Sequence, residues 1–480
     1  MSRLYPAGLL LTLTALAGCT TVGPDYQLPA NSVMQRQAAQ GRFANADSRL
    51  SSSQPVAPRW WQLYHDPVLN QLVEQAQQAN TDLRAATANL QKALAVASQV
   101  SAEAGPHAEL SASAERARVS GQSMLLDVPL PVSNLGDEGI SVAYQLDLFG
   151  KLRRGDEAAE ANSEASVAAR DLARITVTAE TVRSYLQICS ANLGYQVLQQ
   201  QSVLQQKQLQ LTRRLASAGR LSATDVLRAQ AQADSVAAGL PAYQAQRDAA
   251  RYRLAMLLGQ TPAETLPAAA LSCAQEPQLA QAIPVGDGRA LLARRPDVKQ
   301  AERKLAQSSA MIGVATAELY PSITLGASAG FTGMLEDLGQ RSTQRFGYGP
   351  LISWTIPDSG ARARVTAARA DNAAALAHFD GVVLNALREV ETSLSLYGKD
   401  LQRLALLRTA RDSAKQAAAQ NRRLYQAGRS PYLSSLDADR TLVGNEMAVA
   451  SAESQLAQDQ VNLFLALGGG WEEGKTQTGH

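Results

Sequence analysis

The phrase RRLASAGRLSATDVL, residues 213–227, occurs again in altered form as RRLYQAGRSPYLSSL, residues 422–436. Residues recur between the two phrases at one spacing of 209, as 428 − 219 = 209 shows for the two glycines, and five of these pairs mark the repeat. These pairs are Arg213 and Arg422, Leu215 and Leu424, Gly219 and Gly428, Arg220 and Arg429, and Leu227 and Leu436. Each phrase lies between two long helical patterns, and its glycine is suited to the left-handed conformation that ends a helix. The sequence therefore predicts two helical hairpins with equivalent turns.

The repetition extends through most of the chain. NTDLRAATANL (80–90) matches RPDVKQAERKL (295–305), and PHAELSASA (106–114) matches PSITLGASA (321–329). Two copies of roughly 170 residues have too long a period for a solenoid. Duplication of a whole structural unit is the better interpretation.

Each copy contains a helical pattern of unusual length. Residues 152–217 and 361–426 each run for 66 residues without a clear helix breaker, and returning patterns follow at 223–258 and 433–467. Apolar residues recur in these patterns at the seven-residue spacing of coiled coils. A helix of this size is about 100 Å long at 1.5 Å per residue, a length that suits the wall of a tube.

The residues around the turns predict how the helices begin and end. Ser222 and Thr224 are both able to cap the first returning helix, and Asp225 suits its positive end. Pro431 suits an early position in the second returning helix. Pro241 interrupts the first one, so we expect a kink there.

Before its long helix, each copy has a shorter helix, at 66–103 or 295–318, and then stretches of period-two alternation. The predicted strands are residues 107–117, 140–148, 322–331 and 346–356. One face is apolar and the other small or polar, which is typical of outer-membrane barrel strands and also of a half-buried soluble sheet. Four strands cannot close a barrel and open edges cannot face lipid, so a barrel would be shared among several chains. Aromatic residues near these strands suit either interfacial girdles or ordinary packing: Tyr320, Phe331, Phe346, Tyr348 and Trp354.

The N-terminus has the features of an export signal. Arg3 precedes the apolar stretch AGLLLTLTALAG, which is too short for a permanent membrane helix, and Cys19 follows it. The sequence LAGC at 16–19 resembles a lipobox, in which cleavage precedes Cys19 and that cysteine is diacylated. The alternative is an ordinary signal peptide with a chance cysteine. Thr20 is not the aspartate that holds lipoproteins at the inner membrane, so the outer membrane is implied.

The composition excludes several classes of function. The net charge is +2 and 18% of the residues are charged, so no strong field favours nucleic acid. The chain is rich in alanine and poor in aromatic residues, which favours long packed helices over an enzyme core. Its histidines lack metal-ligand spacing, and no nucleophile elbow or phosphate loop is present. These histidines are His65, His107, His378 and His480. We therefore expect neither an enzyme nor a metal site.

Four stretches resemble one known family. They are CTTVGPDYQLP (19–29), WWQLYHDPVLNQLVEQAQQANTDLRAA (60–86), RRPDVKQAERKLAQSSAMIGVATAELYPSITLGASAG (294–330) and SGARARV (359–365). With the two glycine turns, they make the chain similar to the TolC-like outer-membrane factor family, in the lipoprotein branch that serves efflux pumps. The resemblance extends from Cys19 to about Leu467, and the stretch at 294–330 is its most specific part.

The resemblance implies a mainly α protein with a small β part that assembles as a homotrimer. Four strands per chain would form one twelve-stranded outer-membrane barrel, continued by an α-helical coiled-coil tunnel with an equatorial belt in the periplasm. The implied function is the passive exit duct of a tripartite multidrug or small-molecule efflux system. Its partners would be a periplasmic adaptor (membrane fusion) protein, an inner-membrane transporter of RND or related type, and outer-membrane lipid. No cofactor is implied beyond the lipid on Cys19.

The same resemblance places the adaptor contact and the periplasmic gate at the two turns. The residues implied are Gly219, Arg220, Leu221, Ser222, Gly428, Arg429, Ser430 and Tyr432. Relatives often carry an acidic residue just after the second glycine. Here Arg429, Ser430 and Pro431 follow it, which puts a cation-selecting acidic ring in doubt. Asp225, Asp437 and Asp439 are alternative lumen acids, or ordinary acids near helix N-termini.

The bridge between the copies, residues 260–294, would belong to the equatorial belt around the helices. Cys189 lies near the middle of its long helix, at the height of such a belt, and Cys273 lies in the bridge. The resemblance therefore implies a disulfide between them, in an exported chain that meets an oxidising compartment. Two buried free thiols are the alternative.

The implied organisation has six parts. They are a signal peptide (1–18), a lipidated N-terminal extension (19–65), repeat 1 (66–259), the equatorial linker (260–294), repeat 2 (295–468) and a polar C-terminal tail (469–480). Two further functions remain open at this stage. One is the exit duct of type I protein secretion, which uses the same fold. The other is a lipid-anchored structural coiled-coil lipoprotein without a channel, against which the alternating strands argue.

Overall fold

The computed structural model describes residues 21–46, 51–52, 54, 56–264, 266–273, 275–277, 279, 282–356 and 360–469. The helices of seven or more residues within these ranges are α1 (Pro67–Ala79), α2 (Thr81–Glu103), α3 (Lys151–Ser217), α4 (Ala223–Ala237), α5 (Leu240–Leu257), α6 (Gly288–Arg294), α7 (Pro296–Ala317), α8 (Ala361–Gln426) and α9 (Tyr432–Ala466). The strands are β1 (Ser51–Ser52), β2 (His107–Ala117), β3 (Ser133–Leu146), β4 (Ile283–Pro284), β5 (Ser322–Met334) and β6 (Gln344–Ser353). In this part of the chain, no helix combines the length and apolarity needed to cross a membrane.

The two long helices confirm the sequence prediction within one residue at each end. α3 has 67 residues and α8 has 66. The returning helix of the second copy is also continuous, as predicted, but Pro431 lies at its N-cap and not inside its first turn. In the first copy the returning helix is divided into α4 and α5 at Ala238 and Gly239. The interruption predicted from Pro241 is therefore present, because proline at the second position of α5 cannot continue the hydrogen bonds of α4; Ala238 and Gly239 keep right-handed helical backbone angles.

Of the two shorter helices predicted at 66–103 and 295–318, the first was wrong in one respect. Asn80 has an extended backbone and separates α1 from α2. Its side chain accepts hydrogen bonds from the N–H groups of Asp82 and Leu83, which begins a new helix, and donates to the carbonyl of Leu257. The second is confirmed as α7, within one residue at each end. Arg295 separates it from α6, because the residue before Pro296 is restricted to extended backbone.

Four strands form an antiparallel sheet in the order β2-β3-β5-β6. Three predicted strand boundaries were wrong by three residues or more, and one of them is the end of β5, which lies at Met334 and not at 331. β3 begins at Ser133 and not at 140, because its polar first half pairs with both neighbours; Asp137 lies opposite Ser113 and Thr332. β6 ends at Ser353 and not at 356, because its partner Ser322 is preceded by Pro321, which has no N–H to extend the ladder.

The chain divides into two compact units. The first comprises residues 1–29, 89–167 and 300–379, of which the described part contains the four-stranded sheet. The second comprises residues 30–88, 168–299 and 380–480 and contains the largest apolar core. In that core, the ring of Trp60 stacks on Phe464 with 4.5 Å between centroids. The bridge between the copies packs into the same core through Leu266, Ala270 and Ile283.

A disulfide joins Cys189 of α3 to Cys273 of the bridge, with the two Cα atoms 4.8 Å apart. This is the pairing that the family resemblance implies. Asn192, one turn further along α3, donates from Nδ2 to the carbonyl oxygens of Leu271 and Cys273, at 2.9 and 2.6 Å. Ser190 of α3 also donates from Oγ to Oε1 of Glu276 in the bridge. The bridge is thus held to the middle of α3 by the disulfide and by these hydrogen bonds.

Replacement of Cys273 by serine is expected to lower the free energy of unfolding by about 2–4 kcal/mol, because the disulfide closes a long loop in the unfolded chain. The closed loop has a sequence separation of 84 residues. The midpoint of thermal unfolding, measured with and without reductant, checks the effect. Reductant should lower the midpoint of the wild type to that of the variant and leave the variant unchanged. Recovery of both thiols in free form from the untreated protein would contradict the prediction.

Candidate functional site

The two glycine turns have nearly the same backbone geometry. Gly219 has φ +73° and Gly428 has φ +70°, both in the left-handed region. The N–H groups of Gly219 and Arg220 donate to the carbonyls of Ala216 and Leu215, each at 2.9 Å. The second turn has the equivalent bonds, from Gly428 to Tyr425 and from Arg429 to Leu424. This pair of bonds is the Schellman motif, which satisfies the last carbonyls of α3 and α8.

The helix after the first turn begins with a capping box. The side chain of Ser222 accepts from the N–H of Asp225, whose carboxylate accepts in return from the N–H of Ser222. Thr224 was predicted as a second possible cap, and this was wrong. It lies inside the first turn of α4, because Ser222 already occupies the N-cap.

The two turns pack side by side and form one end of the second unit. We call this end the tip and define it as residues 207–234 and 415–440. Tyr432 and Leu436 of the second hairpin share a buried cluster with Leu209, Ala229 and Ala233 of the first. The cluster is extended by a hydrogen bond from Nε of Arg440 to Oε1 of Gln232, at 2.7 Å. The sequence repeat therefore produces two turns at one place.

Most of the predicted contact residues are accessible at the tip. Gly219, Arg220, Ser222, Gly428 and Arg429 are exposed, and Leu221 and Ser430 are half-buried. Tyr432 is an exception, because only 4% of its surface is exposed. Its ring packs against that of Tyr425, with 5.6 Å between centroids. Tyr432 thus joins the two hairpins and is not itself presented as a contact surface in this chain.

The three candidate lumen acids have three different environments. Asp437 is exposed. Asp225 belongs to the capping box and also lies 3.7 Å from the guanidinium of Arg228. Asp439 is buried, and Nε of Arg422 donates to its Oδ1 at 2.8 Å. Burial raises the pKa of Asp439 more than the Arg422 guanidinium lowers it. Of the three, only Asp437 is exposed without a side-chain partner among the described residues.

A buried carboxyl that the sequence analysis missed lies further along α9. Asp459 is 2% exposed, its Oδ1 accepts from Nε2 of Gln455 at 2.9 Å, and its Oδ2 has no hydrogen-bond partner among the described residues. The pKa of Asp459 is raised to about 6, chiefly by burial and also by the neighbouring Asp400 carboxyl, while the Gln455 hydrogen bond lowers it. In the sequence, Asp459 is one polar residue in an amphipathic helix, and no pattern distinguishes it.

Replacement of Asp459 by asparagine is expected to remove a pH dependence of stability. A carboxyl whose pKa is raised in the folded state contributes stability that is present below about pH 4 and is lost as the pH rises through about 6. The asparagine cannot ionise, so the variant should be more stable than the wild type by about 1–3 kcal/mol near pH 8 and equal to it near pH 4. Thermal unfolding across this range measures both values. Asp437→Asn, on the exposed side of the same helix, is the control. If stability depends on pH in the same way in all three proteins, the raised pKa of Asp459 is contradicted.

Replacement of Gly428 by alanine is expected to cost about 1–2 kcal/mol, because its left-handed backbone opposes any Cβ. A Cβ built at Gly428 meets nothing within 4 Å, so the cost is conformational and not steric crowding. Gly444→Ala is the matched control. A Cβ at Gly444 also meets nothing within 4 Å, but Gly444 lies inside α9. There, alanine should raise the free energy of unfolding by about 0.5–1 kcal/mol. Thermal midpoints should therefore move in opposite directions. A shift of the same sign for both variants would argue against a conformational origin.

Among the described residues, no three histidine, cysteine, aspartate or glutamate side chains are grouped as metal ligands. The proposed lipidation site, Cys19, lies outside the described residues. The first described residues after it are held firmly: Val22 donates its N–H to Phe149, and Arg154 donates from Nη2 to Asp25 at 2.7 Å. The chain leaving Cys19 is thereby fixed beside the end of β3, within the first unit.

A duplicated chain with two long helical hairpins and a small antiparallel sheet defines a narrow class of mainly α protein. The sequence profile of the family described as "Outer membrane efflux protein" matches residues 72–260 and 288–469, and the chain belongs to this family. Proteins of this family are efflux channels and not enzymes.

Individual relatives support the same assignment over nearly the whole chain. Nodulation protein T of Rhizobium leguminosarum bv. trifolii is 29% identical, with 95% of each chain covered. The probable efflux pump outer membrane protein TtgC of Pseudomonas putida is also 29% identical, with 98% of this chain and 96% of the relative covered. The solved structure of the outer-membrane channel OprN is 37% identical with a TM-score of 0.88, and covers 94% of this chain and 100% of that one.

Proposed function

We propose that this chain is one protomer of a homotrimeric exit duct in the outer membrane, serving a tripartite multidrug or small-molecule efflux system. The observation that carries this proposal is the apolar face of the open four-stranded sheet. One row across the sheet consists of Leu110, Ile140, Ala329 and Phe346, each paired with the next. Leu110 and Phe346 are each 83% exposed, which is costly in water and favourable in lipid.

The opposite face of the same sheet is polar. There, Nη2 of Arg345 donates to Oδ1 of Asp137 at 2.7 Å, and Nε of Arg345 donates to Oγ1 of Thr332 at 2.8 Å. Small residues such as Ser328 and Gly347 continue this face. An apolar exterior and a polar interior are the arrangement of a transmembrane barrel that encloses water.

The outer edges of β2 and β6 have no paired strand among the described residues. Unpaired backbone groups cannot face lipid, so the sheet has to be closed by other copies of itself. Three chains of four strands give a barrel of twelve, within the size range of such barrels. The long helices then extend away from the membrane as a tunnel, with the bridge in an equatorial belt.

The remaining parts of the proposal follow from this assembly. A lipid on Cys19 would anchor the chain beside the barrel. The tip would lie at the periplasmic end, where an adaptor protein docks and links the duct to an inner-membrane transporter of RND or related type. Transport through the duct is passive, so energy is supplied by the transporter.

Arginine substitutions on the two faces of β6 test the proposal. Tyr348 belongs to the apolar face and Leu351 to the polar one, and both are exposed in the single chain, at 85% and 68%. Tyr348→Arg should prevent assembly of an inserted trimer, because a cation on the lipid face costs about 2–4 kcal/mol near the bilayer midplane. Leu351→Arg is the matched control and should leave a trimer with single-channel conductance in planar bilayers. A wild-type chain that forms no trimer and no channel would instead support the structural lipoprotein.

A further inference from the structure

We infer that the tip forms an electropositive entrance that favours anionic solutes, a refinement that rests on the proposed function. The tip contains ten lysine and arginine residues against four aspartates, a net charge of +6. The whole chain has a net charge of only +2, so the rest of the chain is net acidic. Positive charge is therefore concentrated at the tip.

Most of the acids at the tip are already engaged in local structure. Asp439 is buried against Arg422, and Asp225 closes the capping box. Asp234 accepts from Nε2 of Gln230 at 2.8 Å. Only Asp437 is left exposed without a side-chain partner in the described structure. Its single negative charge does not offset the positive charge of the exposed arginines.

Four arginines at the tip form neither an ion pair nor a side-chain hydrogen bond among the described residues, and all four are exposed. They are Arg214, Arg220, Arg423 and Arg429. Arg214 and Arg423 lie in the last turns of α3 and α8, where a cation is stabilised by the helix dipole. Arg220 and Arg429 lie beyond the helix ends, each directly after its glycine, where open space surrounds the backbone. Helix stabilisation alone therefore does not account for the second pair.

Both sequence repeats carry arginines at equivalent positions of the tip. Three arginine pairs occur at the same spacing: Arg213 and Arg422, Arg214 and Arg423, and Arg220 and Arg429. In a threefold assembly the excess charge would surround one aperture. A charged rim on low-dielectric walls raises the local concentration of counter-ions, here anions. The solutes favoured would be small organic acids that carry a carboxylate, sulfonate or phosphate group.

Ion selectivity in planar bilayers tests the inference on the assembled trimer. In a gradient of KCl, the reversal potential of the wild type should give a chloride-to-potassium permeability ratio of about 3. Arg220→Gln with Arg429→Gln should bring the ratio to about 1, and the double glutamate variant should reverse it. Neither arginine side chain forms a hydrogen bond or an ion pair among the described residues, and both glycines are kept, so the tip geometry is retained. Arg388→Gln, at an exposed arginine of α8 away from the tip, is the control.

The salt dependence adds a second readout. Selectivity should weaken at 1 M salt, where the screening length is about 3 Å, relative to 0.1 M, where it is about 10 Å. Conductance without anion preference, or a preference that the tip variants do not change, would overturn this inference and leave the duct intact. Absence of any conductance would count against the proposed function itself, so the two failures are distinguishable.

Discussion

Replacement of Phe464 by alanine is expected to lower the free energy of unfolding by about 3–5 kcal/mol, because it leaves a cavity in a closely packed core. Phe464 is fully buried, and its ring stacks on Trp60. Trp60 is itself only 1% exposed, so the surrounding side chains cannot easily move into the space. Denaturant unfolding followed by tryptophan fluorescence measures the loss, since Trp60 is the stacked partner.

Phe464→Leu is the matched control for this experiment. Leucine keeps much of the apolar volume and should cost less than about 1.5 kcal/mol. The difference between the two variants isolates the effect of the cavity. If Phe464→Ala lowers the free energy of unfolding no more than Phe464→Leu does, the packing of Phe464 against Trp60 does not stabilise the core as its burial indicates.

Replacement of Arg295 by methionine is the second large effect expected, at about 3–5 kcal/mol. Arg295 is 6% exposed, and its Nη2 donates to Asp297 at 2.6 Å and to Glu389 at 2.8 Å. Its Nη1 donates to the carbonyl of Ala466 at the end of α9. Burial alone would lower the pKa of Arg295, but the two carboxylates hold it above its usual range. Methionine fills similar space and leaves both carboxylates without their cation.

Two further variants separate the lost charge from the lost packing. Arg388→Met removes a 64% exposed arginine that lies 3.9 Å from the same Glu389, and it should cost no more than about 1 kcal/mol. Adding Asp297→Asn and Glu389→Gln to Arg295→Met should recover part of the stability, because neither partly buried carboxylate is then left charged without its cation. Denaturation midpoints at one pH give all these values. If Arg295→Met lowers the free energy of unfolding no more than Arg388→Met does, the network around Arg295 contributes little to stability.

Much of the helical fold was predictable because its signals are local. A helix ends where glycine adopts a left-handed backbone and begins again where serine caps it, so Gly219, Ser222 and Gly428 were recognisable from their neighbours alone. Proline likewise acts through its own ring, and Pro241 produced the predicted interruption. Alternation along the strands predicted which face of the sheet is apolar, since side chains alternate by covalent geometry.

The predictions that were wrong depended on distant partners. The break at Asn80 depends on the carbonyl of Leu257, and the start of β3 depends on partners in β2 and β5. The burial of Tyr432 depends on residues of the other hairpin. No local rule reports such contacts, because they arise between segments far apart in the chain.

The sequence by itself determined the duplication, the long helices, the two turns and the apolar face of the sheet, because periodicity and backbone preference act over a few residues. Only the tertiary structure decided that the two turns pack together and that Tyr432 and Asp439 are buried there. It also decided that Asp459 is buried beside Asp400, and that the arginines of the two sequence repeats lie together at the tip. Burial and the field of neighbouring charges are properties of the packed chain. They set the pKa of a carboxyl and the accessibility of an arginine, and the identity of the residue alone does not.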